Sequence, residues 1–285
     1  MKSKFLVIVL AIFLCVMTVM PLNAYASYSG GETTPTTLDI QYEERYISEM
    51  SMDYSVPPYD SIQFTNSCAP VAGSCIVGYY DRIYENLLPD HTNYYIVNGV
   101  FYYAGQGQVI NNMTASLYSL MQTNVNGNGT SEANFKSGLS SFVNSRGYNI
   151  TYTSIMSNGN FSLSECANTF FNSERPVVLL MTGYYYYPFA NMSQNPNHDI
   201  FYGVKSTSGS HIVVAYSYRQ YNYWRTETKL VWSPVWYNPF RYIEVTEFVN
   251  FRTDHYLLVS FGDGTRGMVP INNDYFDNAY GITIS

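Results

Sequence analysis

The apolar pattern of this chain changes period part-way along its 285 residues, and that change limits the folds open to it. Residues 70–87 (PVAGSCIVGYYDRIYENL) carry apolar side chains at helical spacing, with Pro70 at a first-turn position that needs no N–H. Residues 109–122 and 131–146 predict two more helices, separated by the Asn126-Gly127-Asn128-Gly129 break. Ser162 and Glu165 form a capping box ahead of a fourth. One hairpin interrupts this half, where Asn98-Gly99 sits between two β-prone runs in residues 94–103. From Val177 onward the pattern is that of strands: 177–182, 211–218, 230–237, 242–248, 256–261 and 282–284 are rich in Val, Ile, Tyr and Phe and bounded by Gly, Pro and Asn. Helices followed by an antiparallel sheet predict an α+β fold. With no internal repeat and no linker after Pro57, residues 54–285 read as one domain.

The N-terminus carries a different kind of signal. Lys2 and Lys4 precede an apolar run from Phe5 to Met20, and Ala24-Tyr25-Ala26 supplies an A-x-A cleavage pattern. These features predict a secretory signal peptide over residues 1–26 and a secreted or cell-surface protein. The run is short for a bilayer span, so no membrane attachment is expected after cleavage. Residues 27–53 open with a Ser/Thr/Gly/Pro-rich stretch and read as a flexible leader, although residues 42–57 could cover a groove.

Removing Lys2 and Lys4 takes the net charge from −7 to −9, which argues against nucleic-acid binding, since that needs a basic stripe. Of the four cysteines, Cys15 leaves with the signal. Cys68, Cys75 and Cys166 remain, an odd number, so at least one thiol stays free. Cys68 and Cys75 on one helix would hold their Cα atoms about 10 Å apart, beyond disulfide reach. A free thiol in an oxidising compartment raises the question of its purpose.

Cys68 lies just before the Pro that opens a helix, in Asn66-Ser-Cys-Ala-Pro-Val-Ala-Gly73. Unpaired N–H groups and the helix dipole favour a thiolate there, and thiolate is the nucleophilic form. Cys75 and Cys166 read as core. Among the histidines, His211 begins an apolar strand (HIVVAYSY), whose open end can aim a ring into a cleft. His91, His198 and His255 read as ordinary polar residues. No zinc-ligand spacing, phosphate loop or nucleotide fingerprint occurs, so neither metal nor cofactor is expected.

The motif Cys-Ala-Pro-Val-Ala with His-Ile-Val-Val-Ala-Tyr-Ser-Tyr downstream resembles the papain-like cysteine peptidases. The nearest group is the bacterial bacteriocin-peptidase-like (double-glycine-peptidase-like) branch, with patterns Cys-Gly-Pro-Thr-Ala and His-x-Val-Val-x-x-Gly-Tyr. His211 follows Cys68 by 143 residues, within the ~130–150 separation of papain-type pairs. Ala69 and Ser217 stand where that branch carries glycine. The resemblance implies a papain-like fold, Cys68 as nucleophile, His211 as general base and Gln63 as oxyanion-hole donor. It also implies an Asn or Asp that fixes the imidazole tautomer from the strand after the His strand. Asp263 is the first choice for that place, with Asp254 and Asn250 behind it, and a plain turn aspartate is an equal reading of Gly-Asp-Gly. The implied activity is amide hydrolysis of a peptide or protein substrate. The alternative is a binding protein on the same scaffold with lapsed catalysis, holding peptide or glycan on its clustered tyrosines.

Overall fold

The helices form where apolar side chains recur with helical period, and a shielded sheet takes the Val- and Ile-rich runs. The structure, a computed structural model, describes residues 37–52, 55–60, 64–125, 127, 129–182, 186–188, 202–204, 210–235, 238–271 and 276–285. Among them are the helices α1 (Cys68–Asp81), α2 (Gln108–Leu120), α3 (Glu132–Ser145) and α4 (Leu163–Ser173). The strands are β1 (Thr37–Ser51), β2 (Tyr94–Val97), β3 (Val100–Tyr103), β4 (Ile150–Ser154), β5 (Met156–Ser157), β6 (Asn160–Phe161), β7 (Val177–Thr182), β8 (Tyr186–Pro188), β9 (Tyr202–Val204), β10 (Ser210–Val235), β11 (Asn238–Ser260), β12 (Arg266–Pro270) and β13 (Phe276–Ile284). The fold is α+β. Its large sheet runs β12-β11-β10-β7-β13-β4, with β1 also paired to β10. The pairs β10–β7, β7–β13, β13–β4 and β11–β12 are antiparallel.

The described residues divide into two compact units, one of 47–221 and 254–285, the other of 37–46 and 222–253. In the larger unit α1 is the central helix. Every residue from Ala69 to Asp81 is buried, as expected of a helix apolar on all sides. It meets the sheet through Cys75, whose Sγ lies 3.8 Å from Ser260 Oγ, and through Tyr80, whose hydroxyl donates to Ile282 O. It meets α2 through Ser74 and Thr114, whose hydroxyls are 2.8 Å apart. Ser162 caps α4 by accepting from Glu165 N–H. Asn98 and Gly99 both take positive φ (52° and 79°), which the two-residue hairpin turn requires.

In the smaller unit, cross-strand pairs hold the ribbon formed by β10 and β11. Trp224 stacks on Phe248 with centroids 5.2 Å apart, Thr228 meets Thr246, and Arg252 lies over the Tyr223 ring. No helix among the described residues is long and apolar enough to cross a membrane.

Several expectations need correction. The predicted helix 70–87 begins at Cys68 and ends at Asp81, because Asp81 Oδ1 accepts from Leu88 N–H at 2.8 Å and folds the chain back. The segments 211–218 and 230–235 lie in one continuous strand, as do 242–248 and 256–260. Residues 37–51 form β1 instead of a flexible leader, and Met52 N–H continues the pairing to Tyr216 O. The signal peptide at 1–26 lies outside the described residues.

Candidate active site

Three segments distant in sequence meet at one point of the larger unit: the first turn of α1, the first residues of β10 and the β11–β12 turn. Each has a local reason to be there. Pro70 fits the third position of α1 because a first-turn residue needs no N–H partner. Val71 N–H already reaches Ser67 O at 3.0 Å. The remaining first-turn donors are Cys68 and Ala69. A side-chain cap would take one of them, but the Ser67 hydroxyl donates backwards to Phe64 O at 2.9 Å and caps nothing. The free N–H groups of Ala69 and Cys68 therefore favour the thiolate of Cys68, joined by Ile212 N–H from β10.

Ile212 follows His211, so the start of β10 lies at the cysteine. His211 sits second in β10 and pairs in register with Met181 of β7, which anchors its backbone. Its ring is largely enclosed, with Nε2 3.0 Å from the carbonyl oxygen of Phe261. Asp263 is close enough to favour the charged ring.

Electrostatics favour neutral partners. Burial pushes the Cys68 thiol up and outweighs the three N–H groups that pull it down. Burial likewise holds His211 below its usual value, against the Phe261 carbonyl and the Asp263 charge. Both shifts favour the neutral forms, thiol and imidazole. Cys75, buried in α1, is pushed up to about 11 and stays a thiol. Cys166 is raised by burial too. None of the three cysteines is in a disulfide.

The structure brings Cys68 and the start of β10 together and sets Asp263 near the His211 ring. The Asp263 carboxylate is occupied locally, accepting from Thr265 N–H at 3.0 Å and from the Thr265 hydroxyl. Gln63 lies outside the described residues, and so does His198. Asn250 belongs to the smaller unit, where its side chain bonds Thr253 and Arg252 N–H. Asp254 lies within β11, six residues before its end at Ser260, and not on the turn beside His211. His255 bonds Tyr218 through Nδ1. Ala69 and Ser217 are both buried. Among the described residues no three His, Cys, Asp or Glu side chains gather into a metal site.

Sequence reasoning missed the two main-chain partners, the Phe261 carbonyl and the Ile212 N–H. Side-chain identity does not encode them. The Gly-Asp-Gly turn after β11 was the one available signal, since paired glycines mark a backbone held in an unusual shape.

Comparison with known proteins finds no family model, characterised protein or solved structure that matches this chain.

Proposed function

We propose that the chain is an exported papain-like cysteine hydrolase that cleaves amide bonds in a peptide or protein substrate. The features supporting this reading are that the N–H groups of Ile212, Ala69 and Cys68 favour charge on the Cys68 sulfur, and that Ile212 directly follows His211 in β10. A structural cysteine needs no such donor set, whereas a sulfur that must carry negative charge does. In the proposed reaction Cys68 attacks the substrate carbonyl while its proton passes to His211. His211 then protonates the departing amine, leaving a thioester. Water, deprotonated by the same imidazole, releases the acid and restores the thiol. Gln63 is proposed as an oxyanion donor on the resemblance alone. Export rests on the N-terminal sequence, and N-terminal sequencing of the secreted chain is expected to begin at Ser27.

One observation favours the second reading, a binding protein with lapsed catalysis: the resting pair is neutral, and a thiol is a poor nucleophile. An epoxide peptidase probe and a mixed peptide library separate the two. Selective labelling of Cys68 with turnover that vanishes in Cys68→Ser supports the hydrolase. Peptide or glycan binding without either supports the rival.

A further inference from the structure

We infer that the main-chain carbonyl of Phe261 orients the His211 ring, and that Asp263 is a positioning residue holding the turn that presents this carbonyl. The inference deepens the hydrolase reading and rests on it for its consequences in catalysis. A carbonyl oxygen can only accept. His211 Nε2, 3.0 Å away, therefore carries the proton in the neutral ring, and Nδ1 is the unprotonated nitrogen, the one the hydrolase reading assigns as base for Cys68.

The turn is built for this. Phe261 N–H donates to Thr265 O at 3.2 Å, closing the loop between β11 and β12. Asp263 Oδ1 accepts from both the N–H and the hydroxyl of Thr265, which pins the turn from within. Gly264 N–H reaches Tyr59 O at 3.3 Å, which pins it from outside. Gly262 has φ +78°, a conformation that side chains rarely adopt, and a Cβ there would lie 3.3 Å from Val71 Cγ1 in the first turn of α1. The turn thus packs on the same helix end that carries Cys68. A side-chain Asn or Asp on the strand after β10 is unnecessary when a buried backbone carbonyl already occupies the acceptor position. The ionisable group whose charge acts on the ring is Asp263 from the turn.

The test reads the ring itself. In the full mature chain labelled with nitrogen-15 histidine, the neutral form of His211 is expected to show Nε2 protonated and Nδ1 bare. Nδ1–H instead would overturn the inference. Asp263→Ala removes the acceptor for Thr265 and is expected to lose at least tenfold in the rate of Cys68 alkylation, with the His211 tautomers mixed. Asp263→Asn restores an acceptor without the charge and is expected to recover at least a third of the wild-type rate and the Nε2–H form. Equal loss in both variants would make the carboxylate itself the orienting group and defeat the inference. The tautomer is read in the wild type, whatever becomes of the variants. Failure of the hydrolase reading is distinct: the expected tautomer would be present, with no turnover.

Discussion

At the scale of single residues, burial opposes activation at the candidate site. A cysteine at a helix N-terminus ordinarily has a lowered thiol pKa, yet Cys68 is raised because desolvation exceeds the help of three N–H groups. The proposed function gives this residue a chemical role and not a packing one. Cys68→Ser is expected to change stability by no more than about 1 kcal/mol in denaturant titration while removing turnover. Cys75 is the opposite case, 1% exposed against Ser260. Cys75→Asp buries an unpaired carboxylate at a cost of several kcal/mol, so the folded domain should be lost, and a melt like the wild type would contradict its placement. Asp81 shows the same physics in a titrating group. Burial raises its carboxyl from 3.8 to about 7 against the pull of Leu88 N–H. A group with a raised folded pKa contributes stability that is complete below its unfolded pKa and lost as pH rises through the folded one. Asp81→Asn keeps an acceptor for Leu88 without a charge. The melting-temperature advantage of this variant should grow as pH climbs from 4 to 8, and a constant difference across that range would contradict the buried carboxylate.

At the scale of elements, what was legible followed from periodicity and local chemistry. The helices announced themselves by spacing and by Ser162 and Glu165, and the first hairpin by Asn98-Gly99. Ser162→Ala should cost roughly 1 kcal/mol by loss of the cap to Glu165 N–H, measured by chemical denaturation. Leu139, fully buried on α3, should cost about 2–5 kcal/mol on truncation to Ala. The length of β10 and β11 was not legible. Residues 222–228 in β10 are half-buried in succession, without the alternation that marks a strand with one wet face. Pairs such as Trp224–Phe248 stabilise that stretch, and they join residues too far apart in sequence for local patterns to reveal. β4, β12 and most of β13 were missed for a related reason: they are short or carry Asp277, Asn278 and Gly281 among their apolar residues.

At the scale of the whole molecule, the candidate site exists only when residues near 68, 211 and 261 are brought together, so its chemistry is a property of the folded chain. Cys68 and His211 could be singled out from sequence because each lies at the start of an element, and element openings leave polar groups available. The acceptor on Phe261 could not, because every residue has a carbonyl and only the turn decides where it points. Folding also separates the thiols, since Cys75 and Cys166 are buried and Cys68 is only partly so. The measurement that tests the pairing most directly is the pH profile of Cys68 alkylation in the wild type and in His211→Ala. With a raised thiol and a lowered imidazole, the proposed transfer of the proton between them should give the wild type a pH-independent limb through neutrality before the alkaline rise. His211→Ala should lack that limb, react at least tenfold more slowly near pH 7 and rise only with alkaline ionisation of the thiol. Superimposable profiles would mean that the two groups do not exchange a proton, and the cysteine–histidine mechanism would fall.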